Sequence, residues 1–231
     1  MDANTAPASP HITGMIQIGG NRVLFTADEV EHGNELWVTD GTEAGTSLVR
    51  DLNPGSAGSS PRDFSVVDGV AFFRASNGTQ TVVWQSDGTA EGTVQLPVVE
   101  RLSEYVVLVQ QVYLVGEGGL HVFDLATRES SVVDPDAIGV SVSSLGIIVR
   151  RANLADPNEV DLWFLDGATE RLLREGEEEL DLIRTTYESD GVVFFDTHEL
   201  EVSGGLDQTV WRSDGTASGT CLLYTSDAAD E

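Results

Sequence analysis

Asp40-Gly41-Thr42, Asp87-Gly88-Thr89 and Asp214-Gly215-Thr216 are the residues of this chain whose types and spacing could do chemistry. Each triplet places a carboxylate two residues ahead of a hydroxyl, with a glycine between them. Two kinds of chemistry suit such a set. Carboxylate, hydroxyl and carbonyl oxygens are hard ligands for calcium, which takes about 6 to 8 of them. The same groups can instead hydrogen-bond the backbone amides of a tight turn, with glycine supplying the positive φ. Each triplet offers one carboxylate and is followed by no EF-hand alternation of acids, and Asp134-Pro135-Asp136 lacks continuing ligands as well. Turn chemistry alone accounts for every fixed residue. The expectation is therefore a structural corner and no cofactor, with calcium at Asp40, Asp87 and Asp214 as the alternative.

Other constellations are sparse. His11, His32, His121 and His198 share no metal-ligand spacing, and one cysteine, Cys221, permits no internal disulfide. No GxSxG, P-loop or HExxH motif occurs. Glu177-Glu178-Glu179 reads as a solvated face. Asn77-Gly78-Thr79 is a formal glycosylation sequon that an Asn-Gly hairpin explains fully. No catalytic residue is expected.

The triplets belong to longer repeats that must position them. ELWVTDGTEAGT at Glu35 to Thr46 recurs as VVWQSDGTAEGT at Val82 to Thr93 and TVWRSDGTASGT at Thr209 to Thr220. A looser copy, DLWFLDGATERL, runs from Asp161 to Leu172 and carries Trp163, Asp166 and Gly167. Trp37, Trp84, Trp163 and Trp211 are separated by 47, 79 and 48 residues, so a copy without tryptophan should sit in the middle gap. LHVFDLATRESSVV fits, with His121 in the tryptophan place and Asp124 in the aspartate place. Each copy reads as short Val-, Phe- and Trp-rich runs separated by Asx-Gly pairs, the pattern of a four-stranded meander. Helical periodicity is almost absent, apart from a turn in Glu175 to Leu182. A period of 40 to 50 residues indicates blades, and a lone sheet of that size cannot bury both its faces. The expected fold is all-β: a β-propeller of four-stranded antiparallel blades, five visible, at about 14–62, 63–100, 101–137, 138–178 and 179–220 after a flank at 1–13. The tryptophans should pack between blades, each indole N–H reaching a turn carbonyl.

The chain resembles bacterial proteins of the ELWxxDGT repeat family. Glu35-Leu36-Trp37-Val38-Thr39-Asp40-Gly41-Thr42 matches the signature at every fixed position, Gly45-Thr46 follows as that family expects, and the spacer DLNPGSAGSSP from Asp51 to Pro61 is similar too. The second and last copies lack the Glu-Leu. The resemblance spans about Gly14 to Thr220. It implies an extracellular or surface-associated propeller-like protein and no established chemistry.

Composition limits the partners. The 231 residues carry a formal net charge of -27, and all 12 basic residues are arginine. Such a field repels phosphate backbones and anionic head groups, so neither nucleic acid nor membrane insertion is expected. The expected role is a non-catalytic scaffold or adhesion and recognition module of a larger secreted protein, binding a protein or glycan and monomeric within its longer chain. The alternative is a propeller enzyme acting on glycans or peptides through a central channel. The first strands of the copies read MIQI, FSVV, YVVLV, GVSVS and LDLIRTT, mostly apolar, which favours the first reading. CLLYTSDAADE, residues 221–231, breaks the repeat pattern. Its back-translation matches a transposase mosaic end with sequencing adapter, so this tail is expected to be non-native.

An open propeller exposes the face of its terminal blade and an unpaired edge strand. Residues 1–220 alone are expected to self-associate in sedimentation and to become soluble once further repeats are restored; a monodisperse, cooperatively melting preparation would contradict this.

Overall fold

A computed structural model describes residue 12 and residues 14–97, 99–108, 110–143, 145–156, 159–166, 169–177, 182–200 and 206–225. Among them there is no helix, and the twenty strands form five four-stranded antiparallel sheets in which strand order follows sequence order. The chain divides into two compact units, 1–99 and 100–231.

The first unit holds two sheets. Sheet one comprises β1 (Met15–Gly19), β2 (Arg22–Glu29), β3 (Gly33–Thr39) and β4 (Ser47–Arg50). Sheet two comprises β5 (Arg62–Val67), β6 (Val70–Ser76), β7 (Thr81–Ser86) and β8 (Val94–Gln95). Alternation along each strand sends every second side chain to one face. Leu24, Leu36 and Val49 of sheet one thereby meet Ala71, Phe73, Ala75, Val82 and Trp84 of sheet two in one buried cluster.

The second unit repeats the scheme three times. Sheet three contains β9 (Glu104–Leu108), β10 (Gln111–Gly116), β11 (Gly119–Asp124) and β12 (Ser130–Asp134). Sheet four contains β13 (Ala137–Val142), β14 (Ile147–Ala152), β15 (Val160–Leu165) and β16 (Glu170–Glu177). Sheet five contains β17 (Leu182–Ser189), β18 (Val192–Leu200), β19 (Leu206–Ser213) and β20 (Cys221–Thr225). Tyr113, Val115 and Leu120 of sheet three pack on Val140 and Val149 of sheet four, with Trp163 against them. Ile148, Leu162, Phe164 and Leu173 of sheet four pack on Val193, Phe195 and Trp211 of sheet five. In all three pairs the tryptophan faces the preceding sheet.

Two sequence readings change here. The indoles do not reach turn carbonyls: Trp211 Nε1 donates to Thr209 Oγ1 at 3.0 Å, and the buried Nε1 atoms of Trp37, Trp84 and Trp163 have no partner among the described residues. The reason is register. The rings of Trp84, Trp163 and Trp211 stand mid-strand against the apolar face of a neighbouring sheet, Trp37 lies beside Phe25 of its own sheet, and among the residues two places before the tryptophans only Thr209 carries a hydroxyl. The helical turn expected in Glu175 to Leu182 is replaced by strand at its start, since β16 runs to Glu177; residues 178–181 lie outside the description. Cys221–Thr225, the start of the tail expected to be non-native, pairs with β19 as a fourth strand, because the Leu222, Leu223 and Tyr224 run is itself strand-forming.

Phe73 is fully buried between the first two sheets, whereas Val30 at the β2–β3 hairpin is 89% exposed. Phe73→Ala should lower unfolding free energy by about 3–5 kcal/mol, and Val30→Ala by less than about 0.5 kcal/mol, as read from urea denaturation of the two variants.

Candidate functional site

The Asp-Gly-Thr triplets lie in three of the five connections between third and fourth strands, and these three share one hydrogen-bond pattern. Thr89 donates both its backbone N–H and its hydroxyl to Asp87 Oδ1, at 2.9 and 2.7 Å. Gly92 N donates to Thr89 Oγ1, and Thr93 Oγ1 donates to Thr89 O. Ser86 Oγ closes the ring by contacting Thr93 Oγ1 at 2.7 Å and accepting from Gly88 N at 3.1 Å. The same bonds occur around Asp40, Thr42, Gly45 and Thr46 with Thr39 in the serine place, and around Asp214, Thr216, Gly219 and Thr220 with Ser213. Gly41, Gly88 and Gly215 have φ of 91°, 86° and 79°, the left-handed region that glycine occupies without strain.

The second glycine of each motif is required for a different reason. A Cβ on Gly45, Gly92 or Gly219 would lie 2.0 to 2.1 Å from the aspartate Oδ1. The motif is thus a cage of hydroxyls, amides and one carboxylate closed over that glycine. Its hydroxyl and amide bonds hold the carboxyls of Asp40, Asp87 and Asp214 below the ordinary aspartate range, the Thr42, Thr89 and Thr216 hydroxyls contributing most.

The other two copies keep the aspartate and lose the cage. Asp124 Oδ1 accepts from Ala126 N and Thr127 N. Asp166 accepts from Thr169 N at 2.8 Å and Thr169 Oγ1 at 2.8 Å, and pairs with Arg171; Gly167 lies outside the described residues. His121 occupies the tryptophan place opposite Leu114 and Val132. Among the described residues no group of three or more His, Cys, Asp or Glu side chains is arranged to hold a metal.

At the other end of the first unit stands a residue whose role was not legible in the sequence. Glu35, two places before Trp37, is fully buried. Its carboxylate accepts from Leu52 N, Asn53 N and Ser59 Oγ, the last at 2.6 Å. Burial pushes its pKa up, against the opposing pull of those bonds. The spacer from Asp51 to Pro61 is thereby fastened to the β2–β3 hairpin. Asn34 O accepts from Ser59 N and Ser60 N, and the backbones approach so closely that a Cβ on Gly58 would fall 2.3 Å from Asn34 N. His32 Nδ1 contacts Asp51 Oδ2 at 2.9 Å, which raises the imidazole pKa. Asp161, at the Glu35 place of the fourth copy, does related work by accepting from Asn153 Nδ2 and Gly176 N. The pairing of a motif acid with a polar spacer downstream was the available signal.

Asn77 Oδ1 accepts from Thr79 N, Thr79 Oγ1 and Gln80 N, capping its own hairpin. Glu104, at the head of β9, binds Arg150 and accepts from Val140 N at 3.0 Å, so the first strand of sheet three is less apolar than its YVVLV core implies.

No protein-family model matches the chain, and no curated protein sequence matches it. Among solved structures it is similar to the extracellular domain assigned to a one-component system of B. thetaiotaomicron, with a TM-score of 0.50 at 10% identity over 90% of this chain and 31% of that one. A KlHsv2 variant with one loop replaced by a Gly-Ser linker gives a TM-score of 0.50 at 6% identity over 94% of this chain and 66% of that one. Puromycin hydrolase gives 0.48 at 16% identity over 81% of this chain and 34% of that one. The chain therefore spans about a third of the length of the first and last of these and two thirds of the second. The first is a propeller-type protein. With that likeness, five four-stranded antiparallel sheets in sequence order define a β-propeller protein.

Loss of the cage bonds in Asp87→Ala should cost about 1 kcal/mol, equally in chelator and in millimolar calcium at matched ionic strength; a calcium-dependent rise in melting temperature that the variant loses would assign a metal to the motif instead. Because the folded-state pKa of Asp87 is lowered, its contribution is complete above the unfolded value, near 3.9. It disappears as pH falls through the lowered one. The parent should thus lose melting temperature more steeply than Asp87→Ala below about pH 4.

Proposed function

We propose that the chain is a non-catalytic recognition or adhesion module of a longer secreted or surface-attached bacterial protein, of the ELWxxDGT repeat type that Glu35 to Thr42 resembles. The observation that carries this reading is the commitment of the motif: the polar groups of Asp87, Thr89, Ser86 and Thr93 bond one another, which makes the repeat a framework.

Loops held by such a framework are the natural place for recognition. In the first unit Glu35 braces the spacer beneath the β2–β3 hairpin, leaving Asp28, Glu29, Val30, Glu31 and the run from Pro54 to Ala57 exposed. A rigid acidic loop pair with one exposed valine at its tip suits a neutral or cationic surface on a protein or a glycan, since bracing removes ordering entropy from the cost of binding. The similarity to an extracellular domain supports the same location.

Arrays of neutral and cationic glycans and peptides, probed with the full chain, should give binding that Glu29→Arg with Glu31→Arg weakens at least tenfold, without turnover of any array member. Turnover abolished by Glu104→Gln would overturn this reading in favour of an enzyme.

A further inference from the structure

The caged connections of sheets two and five do more than turn the chain: each plants its first glycine on the preceding sheet. A Cβ on Gly88 would meet Ile18 at 2.7 Å, Arg22 at 3.4 Å and Val38 at 3.5 Å. A Cβ on Gly215 would meet the Phe164 ring at 3.1 Å. Val38 and Phe164 stand two residues before Asp40 and Asp166, and Arg22 opens the second strand of its sheet. On sheet three the matching seat consists of Val122, two residues before Asp124, and Gln111, which opens β10.

That seat is a cavity. Its volume is about 440 Å³, and it is lined by Gln111, Tyr113 and Val122 among others of sheet three, facing Ile147, Leu165, Thr169 and Glu170 of sheet four. Sheet four is connected across residues 166–169, where the caged connections span 40–46, 87–93 and 214–220. The shorter connection closes on itself, Asp166 N donating to Thr169 O at 3.2 Å and Asp166 turning to Thr169 and Arg171. It is three residues shorter than the caged ones.

We infer that this inter-sheet cavity is a binding site for a small, mainly apolar organic molecule that is neutral or cationic. Its size falls in the range of small-molecule sites. Its walls are aliphatic: Val122, Val133, Ile147 and Leu165. Polarity is confined to a few groups. Tyr113, only 6% exposed, donates its hydroxyl to Gln111 Oε1 at 2.6 Å, which fixes the phenol oxygen and the amide side by side as an orienting pair. Thr169 and Glu170 complete the lining, Glu170 being bound to Arg151. No lining residue is cationic, and the whole chain carries -27, so an anionic molecule would find no counter-charge and an opposing field. The assignment is independent of what the exposed loops of the first unit recognise.

The probe is 1-aminoanthracene, neutral and fluorescent in apolar surroundings, titrated into the full chain. One saturable site is expected. Val133→Trp, entering the cavity from a position 39% exposed, should weaken binding at least tenfold, while Val132→Trp, on the other face of β12, should leave it unchanged. A second, plugged variant replaces residues 166–169 by the heptapeptide of 87–93, whose Gly88 packs on the preceding sheet; it should also abolish binding while raising the melting temperature. Anthracene-2-sulfonate should bind at least tenfold more weakly than the amine. Absence of a saturable site, or equal binding by the parent, Val133→Trp and the plugged variant, would overturn the assignment; equal affinity for the sulfonate would overturn its charge selectivity.

Discussion

Every sheet of this protein depends on an aspartate carboxylate that caps the connection from its third to its fourth strand. The cap satisfies amides that a tight turn leaves without partners, and Asp40, Asp87, Asp124, Asp166 and Asp214 all accept such bonds. Fixing that corner fixes the register of the last strand pair. Register decides which face carries the tryptophan, because a slip of one residue would reverse every side chain. Trp84, Trp163 and Trp211 then all point at the preceding sheet. Small sheets that could not bury both faces alone become mutually covering.

The cage and the acid two places before the tryptophan divide the labour between the ends of a blade. Around Asp87 the bonded groups lie within one connection, so the corner is self-contained. Glu35 works the opposite way: one buried carboxylate gathers Leu52, Asn53 and Ser59 from a segment far along the chain. Where the acid is absent the place is reused. Val82 joins the apolar cluster and Thr209 takes the indole of Trp211. The signature ELW-DGT therefore encodes two structural devices, one for each end, joined by a tryptophan that belongs to the interface.

Much of this was legible in the sequence. Asp-Gly pairs and Val- and Phe-rich runs marked the strands, and spacing of the tryptophans exposed the copy in which His121 stands in. The corner reading of the triplets followed from turn chemistry alone. What remained hidden depended on distance in three dimensions. Nothing local says that Gly92 must lack a side chain because Asp87 occupies its Cβ position. Nothing local says that Glu35 is buried, since its partners lie beyond a turn and a strand. The indoles were misjudged for the same reason: amphipathic rings were assigned hydrogen bonds that their mid-strand positions do not provide. The inter-sheet cavity is invisible to periodicity, since its lining comes from strands far apart in the chain.

Amide hydrogen exchange at the triplets tests the central claim most directly. Gly88, Thr89 and Gly92 sit in a largely exposed connection, yet each amide donates to a side-chain oxygen. If the cage is a self-sufficient corner, these three amides should be protected well above exposed-loop rates in the presence of chelator, with no change on adding calcium. Free-amide exchange in chelator that slows only when calcium is added would contradict it.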